Sequence, residues 1–445
     1  MTASVGTYSS RLADIVGPEN LVEEPARLAV YAVDGLSPSL AVRPGSAEEI
    51  AEIARAATAE KLALIPTAGR TKLNIGMPPE RYDVAVDMAR LNRVIAYDPG
   101  DLTLGVEAGI GIASLLKTLA AHAQFLPLAM PFAQTATVGG TLATGIDTPL
   151  RHFYGMPRDY VLGMEFVAGE GVTAKAGGRV VKNVTGYDLH KLLLGAIGTL
   201  GIITRINFKT FPLPAKTRTW IAGFDAAENA FSLARRIASS PLTPYAVEIA
   251  GRWPAPGAPQ WQVAVAAAGD DKVLERCSRE VRALAGQCSN KSFDALVKEQ
   301  EDAHWNRVCE FPALLLKEWP GAVLLRAGVL PGSMPSLVKG VEEIASKHRL
   351  ACAFAARAVG AVHAGLLPGG SLSESMDDLT AACREVMQAA GAAGGHASIE
   401  WCPLELKRRV NIWGEPRPDL PLMKKLKDVL DSKRIFSPGR FMGGL

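Results

Sequence analysis

The sequence has no stretch approaching the roughly 20 consecutive apolar residues that span a bilayer, and its opening, MTASVGTYSSRLADIVG, lacks the basic and then apolar run of a secretion signal. A cytoplasmic protein is expected, with peripheral association at the inner face of the cell membrane left open. An excess of one charge is also missing. The chain has 48 Lys and Arg against 45 Asp and Glu, so no global field draws it to nucleic acid, and no such partner is expected. The six cysteines (Cys277, Cys288, Cys309, Cys352, Cys383 and Cys402) are scattered with no CxxC and no Cys/His ligand spacing, so free thiols in a reducing compartment are expected, with no metal and no iron–sulfur cluster in this chain. No GxGxxG links an early strand to a helix with an acidic residue about 20 further on, which disfavours a Rossmann site.

What is present is ample apolar sequence in alternating elements. At 445 residues, 48% hydrophobic and 21% charged, the chain is long for one core, and two or three domains are expected. Ser39–Pro44 reads as a strand, and Ser46 with Glu49 forms a capping box before a helix carrying Ile50, Ile53, Ala54 and Ala57. Leu62–Thr67 is the next buried strand and runs into the turn AGRTKLNIG, Ala68–Gly76. Further strands read at 84–88, 94–97, 102–109 and 202–211, with a helix over 111–123. Pro212 and Pro214 cannot continue a central strand and mark a boundary. Beyond them come two runs: strand 218–224, helix 225–239, strands 245–250 and 261–267, helix 270–286; then strand 322–330, helix 333–348, strands 352–358 and 361–367, helix 373–391 and strand 397–402. The fold class expected is α+β, with one large antiparallel sheet bearing helices on one face in the second domain. The domains read as 1–215 (core about 38–215), a cap over 216–403, and a C-terminal segment, 404–445, packing back on the first.

Glycine is concentrated between Thr135 and Thr204: TATVGGTLATG (135–145), RDYVLGMEFVAGEG (158–171), GYDL (186–189) and GAIGTLGIIT (195–204). Glycine loses more backbone entropy on folding than any other residue, so this density within apolar sequence points to a ligand approaching the backbone. Turns of small residues at Thr67–Lys72 and Thr137–Gly140 suit the N–H nests that hold a dinucleotide pyrophosphate, and the loop-to-strand passage around Ile202 suits backbone contact with a ring.

PTAGRTKLNIG (66–76), ATVGG (136–140), RDYVLGMEFVAGEG, KNVTGYDLHKLLLGAIGTLGIIT (182–204) and the terminal FSPGRF (436–441) together resemble the vanillyl-alcohol-oxidase, or PCMH-type, FAD-binding family, and within it the FAD-binding E subunits of bacterial glycolate oxidases. The resemblance implies a PCMH-type FAD-binding domain of two subdomains with a cap. It also implies FAD contacts at Pro66, Thr67, Ala68, Gly69, Arg70, Thr71 and Lys72; at Thr135, Thr137, Val138, Gly139, Gly140, Thr144 and Gly145; at Arg158 and Asp159; at Gly186, Tyr187 and Asp188; and at Gly198, Thr199, Gly201, Ile202 and Ile203. Where most relatives have Arg-Gly-Gly-Gly, this chain has Thr67, Ala68, Gly69 and Arg70, a loop restricted by Ala68. No His or Cys lies at the usual attachment position, so the FAD is expected to be non-covalent. The implied partners are a catalytic flavin subunit and an iron–sulfur subunit of a glycolate oxidase complex, with a small 2-hydroxy acid as substrate.

Oxidising a 2-hydroxy acid takes a base and a cation for the carboxylate. His363 in GAVHAG is the candidate base, against a hydrogen-bonded sheet histidine; Arg326 in LLRAGVLPG is the candidate cation, against a salt bridge. The HGHxGDGN-like metal and substrate segment of catalytic relatives has no counterpart in 352–402, where no HxH or HExxH occurs either. Three readings follow: an FAD-binding electron-transfer subunit, a self-sufficient dehydrogenase using His363 and Arg326, or a scaffold that has lost FAD. Other features read more plainly. Arg179 and Lys182 meet phosphate or sit on a solvated hairpin; Tyr187 and Asp188 cap a helix near Leu189, alone or with backbone contact to the flavin; Lys424, Lys425, Lys427, Lys433 and Arg434 form a solvated helix face or a partner-docking surface; Trp401 and Trp413 are core or interface residues.

Overall fold

The computed structural model describes residues 5–180, 186–252 and 259–445, which leaves Lys182 outside the described residues. The chain divides into two compact units, one built from the chain up to Ile146 with Met156–Leu213 and Glu415–Leu445, the other from Asp147–Gly155 and Pro214–Gly414. Relative to the sequence expectation, 147–155, 214–215 and 404–414 join the second unit. Among the described residues no helix is long and apolar enough to cross a membrane.

In the first unit, Ser46 accepts the Glu49 N–H at 3.1 Å and the Glu49 carboxylate accepts from Gly45 N at 2.8 Å, which starts helix α1 (Ala47–Glu60). Its apolar face covers β1 (Leu40–Val42), β2 (Leu64–Thr67) and β3 (Val84–Asp87). These strands run parallel, with β3 between the other two, and their near-continuous apolar sequence suits burial on both faces. A five-stranded antiparallel sheet follows, β4 (Val94–Asp98), β5 (Thr103–Glu107), β6 (Val161–Val167), β7 (Thr173–Gly177) and β8 (Ile202–Lys209), in the order β4-β5-β8-β6-β7. Val167 and Ile202 enter the same core as Leu64, Val86 and Ile50. Residues 138–144 form helix α2 (Val138–Thr144), so Thr137–Gly140 is a helix start and not the irregular turn expected.

The second unit is an eight-stranded antiparallel sheet: β9 (Thr217–Phe224), β10 (Ala246–Gly251), β11 (Trp261–Ala268), β12 (Ser292–Ala295), β13 (Val323–Gly328), β14 (Leu350–Arg357), β15 (Ala361–Pro368) and β16 (His396–Trp401), ordered β12-β9-β11-β10-β14-β15-β13-β16. Helices α3 (Ala227–Ala238), α4 (Asp271–Gln287), α7 (Met334–Lys347) and α8 (Leu372–Ala392) pack on it. Two further helices, α5 (Lys298–Cys309) and α6 (Phe311–Glu318), were not read from the sequence. Residues paired directly across strands project to one face. The pairings Gln262 to Ala250, Ala250 to Ala355, Ala355 to His363 and His363 to Arg326, with Glu248 to Arg357, therefore put every charged residue of this set on one face. Leu315 of α6 lies over that face, where a Cβ on Gly365 would sit 2.4 Å from its Cδ1.

The chain ends in the first unit with α9 (Leu420–Leu430) and Ile435–Phe436, which extend the parallel sheet: Leu64 N donates to Ile435 O at 2.7 Å and Ser437 N to Leu64 O at 2.8 Å. Lys424 and Lys425 are exposed as expected, but Lys427 is only 1% exposed, so the helix is not a uniformly solvated face. Its ammonium donates to Thr199 O at 2.6 Å, Asp431 Oδ2 at 2.7 Å and Phe436 O at 3.0 Å, which satisfies all three N–H groups of a desolvated cation. Trp401 is buried in the second unit and Trp413 half-buried.

Candidate functional site

In the first unit, β2 delivers the chain to a turn at the mouth of a cavity of about 840 Å³, counting its open mouth. All seven residues Pro66–Lys72 line it, as do Thr137, Gly139, Gly140, Thr144, Gly198, Gly201, Ile202 and Ile203. Other site residues named from the sequence lie elsewhere. Thr135 is exposed, with its carbonyl against Gly69; Val138 is in the core; Gly145 is the left-handed C-cap of α2; Thr199 is buried and spends its carbonyl on Lys427. Asp159 caps its own short helix by accepting Met156 N at 2.8 Å, and Arg158 beside it is exposed. Gly186, Tyr187 and Asp188 are exposed, Asp188 pairs with Lys191 at 2.6 Å, and the helix beginning at His190 has no side-chain cap.

The two glycines of ATVGG do different work. Gly139 N donates to Ala108 O at 2.7 Å and Val138 N to Ile110 O at 3.0 Å, so neither N–H is left for a pyrophosphate. A Cβ on Gly139 would stand 2.8 Å from the Ala108 Cβ; on Gly140 it would meet only Thr137 Oγ1, at 3.2 Å, and Gly140 is exposed on the cavity side. Gly69 is likewise demanded by the protein itself, since a Cβ there would lie 2.1 Å from Thr135 O.

Sequence reading missed Leu73, Met88, Ala108, Ala143, Leu193, Ala196, Ile197 and Arg440 on this cavity. Arg440 donates to Ile75 O at 2.6 Å and to Leu73 O, and so holds the turn after β2. It lay within the quoted FSPGRF, but no local spacing links residue 440 to residue 73. Arg70, in the left-handed region at φ 56, pairs with Asp87 at 3.4 Å and lies over the Tyr31 ring. The lining thus holds three cations, Arg70, Lys72 and Arg440, and, among the described residues, no carboxylate, histidine or cysteine. The Thr67 hydroxyl is buried there without a hydrogen-bond partner.

A dinucleotide with a fused apolar ring fits this arrangement. The cations suit a pyrophosphate dianion, Thr67 Oγ1 awaits a polar partner, the bare backbone at Gly140 leaves room for close approach, and Met88, Ile197, Ile202 and Ile203 offer apolar surface to a ring.

In the second unit the two catalytic candidates are direct cross-strand neighbours within a buried ionic cluster. His363 Nδ1 lies 3.3 Å from Glu400 Oε2 and Nε2 lies 3.9 Å from Asp147 Oδ2, beyond hydrogen-bond distance; Arg326 Nη1 lies 3.9 Å from Glu400 Oε1. Asp147 also binds Arg151 at 2.8 Å, and Arg357 Nε lies 3.7 Å from Glu248 Oε2. Burial alone would raise the Asp147 carboxyl, but Arg357, His363, Arg326 and Arg151 outweigh it and hold the group well below the carboxylate range. Burial pushes Glu248 the other way, up to about 7, with Arg357 offsetting it only in part. Asp147, Glu248, Arg357 and Glu400 were not read from the sequence; Glu248 and Arg357 share a face with His363 through the cross-strand register. Among the described residues no group of three or more His, Cys, Asp or Glu is placed to hold a metal ion.

A family model described as "FAD binding domain" matches residues 38–177, and one described as "FAD linked oxidases, C-terminal domain" matches residues 213–441, more than half the chain. Glycolate oxidase subunit GlcD of Bacillus subtilis (strain 168) is 25% identical over 450 aligned residues, which cover 97% of this chain and 95% of the relative. Glycolate oxidase subunit GlcE of Escherichia coli (strain K12) is 34% identical over 159 residues, 36% of this chain and 45% of that subunit. The crystal structure of p-cresol methylhydroxylase with substrate bound superposes with a TM-score of 0.80 at 16% identity, over 99% of this chain and 97% of that one, so the two share a fold. With these matches at both halves and a cavity that fits the cofactor, the chain belongs to the FAD-linked oxidases and is an FAD-dependent oxidoreductase.

Proposed function

We propose that this protein is the FAD-binding subunit of a glycolate oxidase-type complex, which passes electrons from the oxidation of a small 2-hydroxy acid towards an iron–sulfur subunit. End-to-end similarity to a glycolate oxidase subunit carries this reading, with the partial match to a second subunit of that name supporting it. When bound, FAD supplies an acceptor for two electrons that can release them singly. The chain's own part would be to hold it without a covalent bond, with Arg70, Lys72 and Arg440 as the cations for its pyrophosphate, Gly140 leaving the backbone bare, and Ile202 and Ile203 offering apolar surface.

A second reading, a self-sufficient dehydrogenase, is favoured by one observation: His363 is 3% exposed, lies between two carboxylates, and has no hydrogen-bond partner at Nε2. That nitrogen would take the hydroxyl proton, with Arg326 orienting the carboxylate. The third, a scaffold without FAD, loses its ground to the cavity and the family match. The test is to purify the chain alone, record its visible spectrum, and add glycolate or D-lactate anaerobically. A yellow protein that stays oxidised until partner subunits are added is expected. Bleaching by substrate alone supports the second reading, and a colourless protein overturns both.

A further inference from the structure

The backbone donors around the cavity of the first unit are unevenly spent. Val138 N and Gly139 N are bonded within the protein, whereas, among the described residues, the N–H groups of Gly69, Arg70 and Thr71 have no acceptor, and all three residues line the cavity. Successive N–H groups converge on an anion where a left-handed residue lies among them, and Arg70 is left-handed, at φ 56. Such a conformation strains any residue with a side chain, because its Cβ crowds the following carbonyl oxygen.

Two groups grip Arg70 by its side chain. β3 ends at Asp87, directly beside Thr67 of β2, so its carboxylate stands where the turn begins. Asp87 Oδ2 accepts from Arg70 Nη1 at 3.4 Å, and the Arg70 Cζ lies 5.1 Å from the centroid of the Tyr31 ring. Both groups are fixed in turn. Tyr31 OH donates to the same Oδ2 at 2.7 Å, Asp87 Oδ1 accepts from Ala89 N at 3.1 Å, and Tyr31 is packed in the core with Ile65, Tyr82 and Ala85. Burial, with the carboxylate beside it, pushes the Tyr31 phenol up to about 12, so the hydroxyl stays a donor at neutral pH. An ion pair and a cation–π contact are together of the order of the left-handed penalty for one residue. Tyr31 and Asp87 themselves lie outside the cavity lining.

We propose that Tyr31 and Asp87 are positioning residues for the cofactor: they clamp the Arg70 side chain and through it keep residue 70 left-handed, so that the N–H groups of residues 69–71 meet a dinucleotide diphosphate already converged. The clamp does for an arginine what glycine does unaided. The proposal rests on this cavity as the flavin site. Without the clamp, residue 70, on an exposed turn, relaxes out of the left-handed region, and flavin binding has to draw it back.

Dissociation constants for FAD, measured by titrating the full-length chain freed of its flavin, test the clamp. Arg70→Gly and Arg70→Ala lose the same charge and differ in backbone preference, so the alanine variant is expected to bind FAD about tenfold more weakly than the glycine variant. Asp87→Asn is expected to weaken FAD by up to about fivefold in the parent. It should add nothing once residue 70 is glycine, a rescue that a general loss of folding would not show. Equal affinities of Arg70→Gly and Arg70→Ala assign Arg70 to charge alone and overturn the clamp while leaving the cavity as the flavin site. A loss from Asp87→Asn that persists beside Arg70→Gly also overturns it, because Asp87 then acts through something other than residue 70. Indifference of FAD affinity to all three substitutions overturns the clamp, and if Gly140→Val is equally without effect the flavin does not bind in this cavity.

Discussion

Gly139 and Gly140 are adjacent, share one motif, and answer to different neighbours. At Gly139 any Cβ meets Ala108 of the protein, so Gly139→Ala is expected to destabilise the fold by about 1–3 kcal/mol through overpacking. At Gly140 the added atoms project towards the cavity with only Thr137 Oγ1 nearby. Gly140→Val should therefore leave the thermal midpoint of the flavin-free protein close to that of the parent and lower the ratio of flavin to protein absorbance after gel filtration to a small fraction of the parent value. If Gly140→Val retains a full complement of flavin, the placement of the pyrophosphate is wrong. The motif showed that a bare backbone was needed here without showing which glycine serves the fold, because the distinction lies in Ala108, some 30 residues upstream and on no common period.

At the scale of elements, legibility follows the range of the forces involved. The Ser46–Glu49 cap, the strand–helix alternation of the second unit, and the turn after Pro66 are local and were readable. Helix 111–123 ends at Ala120, three residues short, a boundary set by fraying rather than pattern. Lys427 was read as solvated because its neighbours Lys424 and Lys425 are; burial was decided by three acceptors contributed by Thr199, Asp431 and Phe436, two of which are backbone carbonyls with no residue-type signal. Asp431 in turn accepts from Ile435 N at 3.0 Å and Phe436 N at 2.9 Å, so α9 and the strand after it are tied by one ion pair. Lys427→Met should leave the Asp431 carboxylate buried without its cation, at a cost of about 3–5 kcal/mol. A lower thermal midpoint together with reduced flavin retention is the expected outcome, since Thr199 lies between the cavity-lining Gly198 and Gly201. An unchanged midpoint would show that the pair contributes little.

At the scale of the whole molecule, the buried ionic cluster of the second unit contributes to the response to pH. The Asp147 pKa is depressed in the folded protein, so its contribution is complete above the ordinary value of 3.8 and is lost as pH falls through the depressed value. Glu248 is raised from 4.5 to about 7, so its contribution is complete below 4.5 and is lost as pH rises through 7. Taken by itself, Glu248 is therefore expected to make the second unit less stable as pH rises from 4.5 to 7. Glu248→Gln should raise the melting temperature relative to the parent at pH 8, by the equivalent of up to about 3 kcal/mol, and give no such gain at pH 4.5. A gain of equal size at both values would assign the effect to packing. The cluster could not be assembled from sequence, since Asp147 comes from a nine-residue segment separated by some 60 residues from the rest of its unit.

The cavity proposed for the flavin has one wall from residues 66–73 and a strut, Arg440, some 370 residues further along the chain. A ribosome making this chain must translate some 370 residues, including the entire second unit, before the turn laid down near residue 70 acquires its support. If this cavity holds the flavin, capture is expected to wait until residue 440 has been made, and a chain stalled before it should emerge colourless.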